Sequence, residues 1–371
     1  MSDLVSAAVA VDALQTELKR FAPPDVGADD GVLAVEIAGV CGTDWEIYRR
    51  ESRGRGLGPL ILGHENVGRI TAVGEEASRR WGVVAGDRVV IEEFIPCGHC
   101  RLCRAGHYRI CEATDSRSGR PFLRYGSTPA SVPPALWGGF SELLYLHPNS
   151  IVYPLSEDVP GELAALFVPI SNGIRWVVQE GGGTVGRSIV IQGPGQHGLG
   201  CVVAAKEAGM SPIVVSGLAR DARRLDIALE LGADHVVRVD DADLVAEVAE
   251  ITEGRMADLV VDVSPGATVA VELAVEVATK RGTVILAGSK HGAPVSNFLN
   301  DTVVRKELTI KGVRGHDHLS VEPALKLIQS RRYPLERFCT HRFGLDEVDR
   351  ALRMVGERSD PAAVHVNVVP T

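Results

Sequence analysis

The chain has 371 residues, more than a single hydrophobic core usually organises, so two domains are expected, each large enough to bury its own core. Apolar residues make up 45% and charged residues 23%, an ordinary balance for a globular enzyme. With 39 basic against 48 acidic residues, a net charge of -9 and no basic run interleaved with aromatics, the composition argues against nucleic acid as a partner. The opening Met1-Ser2-Asp3-Leu4 carries no basic segment or long apolar run, and Asp12 and Glu17 interrupt the residues after it. No stretch approaches the about 18 uninterrupted apolar residues of a membrane span. The expectation is a cytoplasmic protein with no membrane partner, whose seven cysteines act as ligands or free thiols rather than as disulfides.

Residues 7–40 alternate in short β-type runs, such as residues 32–37, separated by Pro23-Pro24 and Asp29-Asp30-Gly31 turns. No helical period of useful length precedes Cys41, and the same pattern continues through residues 67–73 and 87–91, which predicts an antiparallel, barrel-like beginning. Inside it stand Gly39-Val40-Cys41-Gly42-Thr43-Asp44 and Gly63-His64-Glu65-Asn66-Val67-Gly68. A thiolate and an imidazole suit zinc, and a catalytic zinc needs three protein ligands with one position left open. Cys41, His64 and one adjacent carboxylate, Asp44 or Glu65, can fill that quota; the competing reading is a buried core cysteine and a satisfied core histidine. The metal is favoured because each motif is a Gly-framed turn with an acid, Asp44 or Glu65, able to orient a ligand or join it.

Cys97, Cys100 and Cys103, with Cys111 beyond them, place four thiols in one short lobe. They match a closed tetrahedral structural zinc site, with an iron–sulfur cluster as the alternative for the same ligands. Cys201 and Cys339 have no ligand spacing. The next stretch contains Pro and Gly and is expected to be an ordered loop anchored by Phe122, Tyr125 and Trp137. It returns to strand at residues 143–146, and Trp137 and Phe140 either face a substrate or pack beneath the loop.

From Ala164 the period becomes helical. A strand at 188–192, the turn Gly193-Pro194-Gly195-Gln196-His197-Gly198 and a helix at 201–208 then form a dinucleotide-binding signature, in which glycines let the backbone approach a pyrophosphate at a helix N-terminus. Strands at 213–215, 236–237, 259–263 and 282–288, alternating with helices at 221–231, 244–251 and 268–278, predict a doubly wound parallel sheet. The strand after the first helix lacks the terminal acid that would hold the ribose hydroxyls of NAD and ends in Ser216-Gly217-Leu218-Ala219. Arg220 or Arg223 can accept a 2′-phosphate or lie on a solvated helix face, so the cofactor is read as NAD or NADP.

These motifs resemble those of the zinc-dependent medium-chain dehydrogenases/reductases, the alcohol and polyol dehydrogenase superfamily, whose signatures read here as GVCGTD and GHENVGRITAVG. The likeness runs from about residue 7 to the C-terminus. It implies an α/β protein with a GroES-like antiparallel β-barrel catalytic domain over 1–162, a structural zinc lobe at 95–113, a Rossmann coenzyme domain over 163–297 and a return to the catalytic domain over 298–371. It also implies two zinc ions per chain, an alcohol or ketone substrate and a homodimer or homotetramer. By the same resemblance Thr43 takes the substrate proton, Asp44 orients His64, and Glu46 stands where many bacterial relatives have an outer relay histidine. The usual third zinc ligand is replaced by Val168 in Phe167-Val168-Pro169. Valine cannot ligate, so either the metal is lost or Glu65 completes the site, as in the polyol branch. The expected reaction is oxidation of a secondary or cyclic alcohol. The alternatives are a polyol dehydrogenase, disfavoured by Trp45, Trp137, Phe140 and Phe167 near the expected pocket, and a non-catalytic nucleotide-binding protein.

Overall fold

The computed structural model describes residues 4–49, 58–114 and 123–370. Two compact units divide the chain: residues 1–167 with 339–371, and residues 168–338. The loop anchor expected at Phe122 lies outside the described residues.

The first unit is built on the long strand Gly31–Val40, whose apolar run is buried on both faces along most of its length. It pairs antiparallel with Glu65–Val73, with Leu143–Leu146 and with His365–Val368. Arg88–Ile91, Val152–Pro154 and Cys339–Phe343 extend this sheet, and Val5–Asp12, Gln15–Phe21 and Leu60–Ile61 form a smaller one. Fully buried Leu33, Ile70, Ile91 and Leu144 are among the side chains of the core between these strands; burying each contributes about 1.5–3 kcal/mol. Before Cys41 the described chain is all strand and turn, as the alternating pattern requires.

Trp137 and Phe140 belong to this core. The Trp137 indole donates to the Val132 carbonyl at 2.9 Å and meets Tyr145 edge-on at 5.2 Å, and Phe140 is fully buried. A Cβ added at Gly63 would stand 2.6 Å from the Phe140 ring. Trp45 lies against Gly356 of the helix Val348–Glu357 so closely that any side chain there would overlap the indole. Trp45, Trp137 and Phe140 thus all make packing contacts within the first unit.

The second unit is a six-stranded parallel sheet with His235–Arg238, Ile213–Gly217 and Ile189–Gln192 on one side and Ala257–Asp262, Ala278–Leu286 and Thr309–Gly312 on the other. The last strand overturns the boundary read from the sequence. Thr309 pairs with Thr283 and Gly312 with Leu286, so the chain rejoins the first unit at Cys339 and not at 298. This edge strand is mostly exposed and reads Thr-Ile-Lys-Gly, without the apolar run that marks a buried parallel strand. The helix after the Gly-rich turn spans Gln196–Glu207, starting earlier than expected because His197 and Gly198 break the apolar period without breaking the helix.

Candidate functional site

Cys41 ends the central strand and becomes the N-cap of the helix Gly42–Tyr48. Asp44, three residues into the turn, is fully buried and accepts three N–H groups: Cys41 N at 2.9 Å, Gly63 N at 3.1 Å and His64 Nδ1 at 3.0 Å. One carboxylate thus ties the two glycine-framed motifs together. Because Nδ1–H is committed to Asp44, Nε2 of His64 is the nitrogen left to bind a metal. Gly63 has φ +88°, a left-handed conformation that a side chain would strain, and it carries both the N–H given to Asp44 and the contact with Phe140.

Sheet register delivers the third donor. Glu65 pairs with Gly39 on one side of the central strand, and Asn367 pairs with Gly39 on the other. This brings His365 Nε2 within 3.3 Å of Glu65 Oε2, with both side chains fully buried. A Cβ at Gly39 would stand 2.2 Å from that oxygen and 2.9 Å from the His365 nitrogen, so the glycine is the space in which the pair sits. Donor atoms of Cys41, His64 and Glu65 all lie within 4.8 Å of one another, a separation that suits a common ion. Thr43 brings its hydroxyl to 3.9 Å from the Cys41 sulfur, and Glu46 is half-buried two residues after Asp44. Val168 is buried in the helix Phe167–Gly173 and contributes no donor to this trio.

His64 is also approached from its other nitrogen, where Glu93 Oε2 stands 3.5 Å from Nε2. Burial opposes protonation of the imidazole, yet Asp44 and Glu93 outweigh it and hold the His64 pKa well above its ordinary value. Glu93 is buried too, but Arg124 and Arg109 keep its carboxyl far below the usual carboxylate range. Sequence reading missed Glu93, Arg109, Arg124 and His365. The one available signal was the pair of acids Glu92-Glu93 directly after the fully buried strand Arg88–Ile91.

The four-cysteine lobe forms as expected. Backbone N–H groups of Cys100, Cys103 and Cys97 point at the sulfurs of Cys97, Cys100 and Cys111 at 3.3, 3.4 and 3.4 Å. The Cys97–Cys103 and Cys100–Cys111 sulfurs are 4.0 and 3.9 Å apart. Four thiolates about 2.3 Å from one zinc would be about 3.8 Å apart, so the lobe fits the ion with little adjustment. Burial opposes ionisation of Cys111, but the Cys97 N–H and neighbouring donors bring its thiol down to about 6.

In the second unit, Gly193, Gly195 and Gly198 lie where the strand order reverses between Ile189–Gln192 and Ala257–Asp262, the crevice at which such sheets bind nucleotides. Gly193 has φ +103°, and a Cβ there would meet Ser264 at 3.2 Å. Nearby, Lys290 joins the buried Asp262 carboxylate at 2.7 Å. Ser216 is buried at the end of its strand, while Arg220 and Arg223 are exposed. Asp240, just past the neighbouring strand, accepts the Ala219 N–H at 2.9 Å, and Asp221 accepts that of Leu218 at 3.1 Å.

Two family models match the chain: the alcohol dehydrogenase GroES-like domain over residues 27–157 and the zinc-binding dehydrogenase domain over residues 198–330. A Mycobacterium tuberculosis protein named "Probable alcohol dehydrogenase adh" is 41% identical over 358 residues, 95% of each chain. Erythritol/L-threitol dehydrogenase of Mycolicibacterium smegmatis is 28% identical over 95% of this chain and 94% of its own. Among solved structures, an alcohol dehydrogenase of Thermotoga maritima superposes with a TM-score of 0.86 at 27% identity, covering 99% of this chain and all of that one. The chain belongs to the zinc-dependent medium-chain dehydrogenase/reductase superfamily, with a GroES-like domain and a Rossmann-type coenzyme domain. It is an oxidoreductase of the alcohol and polyol dehydrogenase type.

Proposed function

We propose that this enzyme interconverts a secondary alcohol and its ketone, passing hydride to NAD or NADP, with Cys41, His64 and Glu65 holding the catalytic zinc. The observation that carries the reading is the convergence of the three donors within 4.8 Å, with Asp44 fixing the His64 ring. Bound there, zinc supplies the positive charge that lets an alcohol lose its proton near neutral pH. Thr43 is positioned beside Cys41 to accept that proton, and Glu46 is the group of the same turn able to pass it on. The turn 193–198 holds the dinucleotide pyrophosphate against the N-terminus of Gln196–Glu207.

A polyol substrate is the second reading. It is supported by the carboxylate of Glu65 among the three donors. A panel of simple secondary alcohols, cyclic alcohols and polyols, each tested with both cofactors, separates the two.

The ligand assignment is tested by Glu65→Gln, which keeps the side-chain size and removes its charge. A ligand's loss removes the trio's zinc and the activity together, whereas loss of a group that only orients a ligand costs about 10- to 100-fold. A variant holding full zinc with near-normal turnover rejects Glu65 as a ligand.

A further inference from the structure

Glu93 lies just past the buried strand Arg88–Ile91, and its carboxylate faces His64 from the side on which a metal would bind. Nδ1 of His64 is taken by Asp44, so Glu93 Oε2, 3.5 Å from Nε2, lies beside the ligating nitrogen. Two donors about 2.0–2.2 Å from one zinc at a tetrahedral angle stand about 3.3–3.6 Å apart. The observed 3.5 Å falls within that range, although Glu93 is not among the donors that lie within 4.8 Å of one another.

At Oε1 the carboxylate is held as metal-ligating carboxylates are held, by a hydrogen bond at the oxygen that does not face His64, while Arg124 occupies Oε2. Arg109 binds Oε1, and Arg124 Nη2 reaches Oε2 at 2.5 Å. Both guanidinium groups sit 4.5 Å from the Phe94 ring, and Arg109 is fixed in turn by Glu92 at 2.9 Å. Glu92 and Glu93 face Arg109 and Arg124, two acids against two guanidinium groups. An ordinary core would place an apolar side chain at this point.

We propose that Glu93 is a further ligand of the catalytic metal, supplying the donor that Val168 does not and exchanging Arg124 for the ion at Oε2. The inference rests on the reading that Cys41 and His64 bind zinc. It does not require Glu65 to do so.

The test uses full-length zinc-loaded protein, graded competition with a chelator, and the visible spectrum after cobalt replaces the trio's zinc. In Glu93→Gln the trio's zinc should weaken by more than the about 10- to 100-fold that loss of an orienting group costs and the cobalt bands should shift, while the lobe keeps its zinc; a loss within that range with unshifted bands overturns the proposal. Unchanged affinity and spectrum overturn the proposal. Because the glutamine leaves two buried arginines without their carboxylate, Arg124→Met provides a second measurement that retains Glu93. It should tighten zinc binding by releasing Oε2, and weaker or equal binding also overturns the proposal. Glu65→Gln run alongside separates the two assignments. Loss in Glu65→Gln alone rejects Glu93 and keeps Glu65, whereas loss in Glu93→Gln alone does the reverse.

Discussion

A single methyl group should separate two glycines of the dinucleotide turn. An added Cβ at Gly195 meets no atom within 4 Å, and its φ of -72° suits any residue. At Gly198 the same Cβ would lie 1.9 Å from the Gly193 carbonyl oxygen. Gly195→Ala should therefore raise the dinucleotide dissociation constant at nearly unchanged thermal midpoint, because the methyl fills space that only the ligand needs. Gly198→Ala should lower stability by about 1–3 kcal/mol as the turn shifts. Calorimetry and cofactor titration read both, and unaltered cofactor binding in Gly195→Ala removes the turn from the site. Charge reversal at Arg220 or Arg223 should weaken NADP far more than NAD, since a 2′-phosphate would then face a third carboxylate beside Asp221 and Asp240. Equal responses from both cofactors reduce the arginines to solvated surface. Cys41, His64 and Glu65 were legible because their turns are written in glycine, whereas Glu93 and His365 were not. Glu65 and His365 are 300 positions apart and meet only through strand pairing.

At the scale of the element, the central strand acts as a ruler. Its register sets Glu65 on one side of Gly39 and the His365 strand on the other, and the missing side chain of Gly39 is the gap both enter. Gly39→Ala should displace Glu65 from the metal trio while leaving the distant cysteine lobe intact. Metal analysis of the purified variant should then find the lobe's zinc and lack the trio's, with a lowered thermal midpoint. Retention of both ions would show that the pair can move without cost. The strands and helices of the second unit were legible because alternating apolar strands and amphipathic helices of ordinary length leave few other arrangements. The exception was Thr309–Gly312, an edge strand that pairs on one side with Ala278–Leu286 and lacks the apolar run of a buried parallel strand.

For the whole molecule, freshly purified protein should approach two equivalents of zinc, one in the trio and one in the tetrathiolate lobe. A value near one that added zinc does not raise removes the trio's ion, and iron in the lobe removes its reading as structural zinc. The division at Cys339 also bears on the order in which the protein is made. The second unit, residues 168–338, is continuous in sequence and emerges from the ribosome able to close its own sheet. The first unit is begun earlier but waits for His365–Val368, which pairs with the strand leading into Cys41. The residues proposed to bind the metal are thus synthesised before the second unit, and the strand His365–Val368 that pairs beside them after it. A nascent chain halted before residue 365 would carry Cys41, His64 and Glu65 without the strand that backs them, so such a chain is expected to hold the trio's zinc more weakly than the full chain.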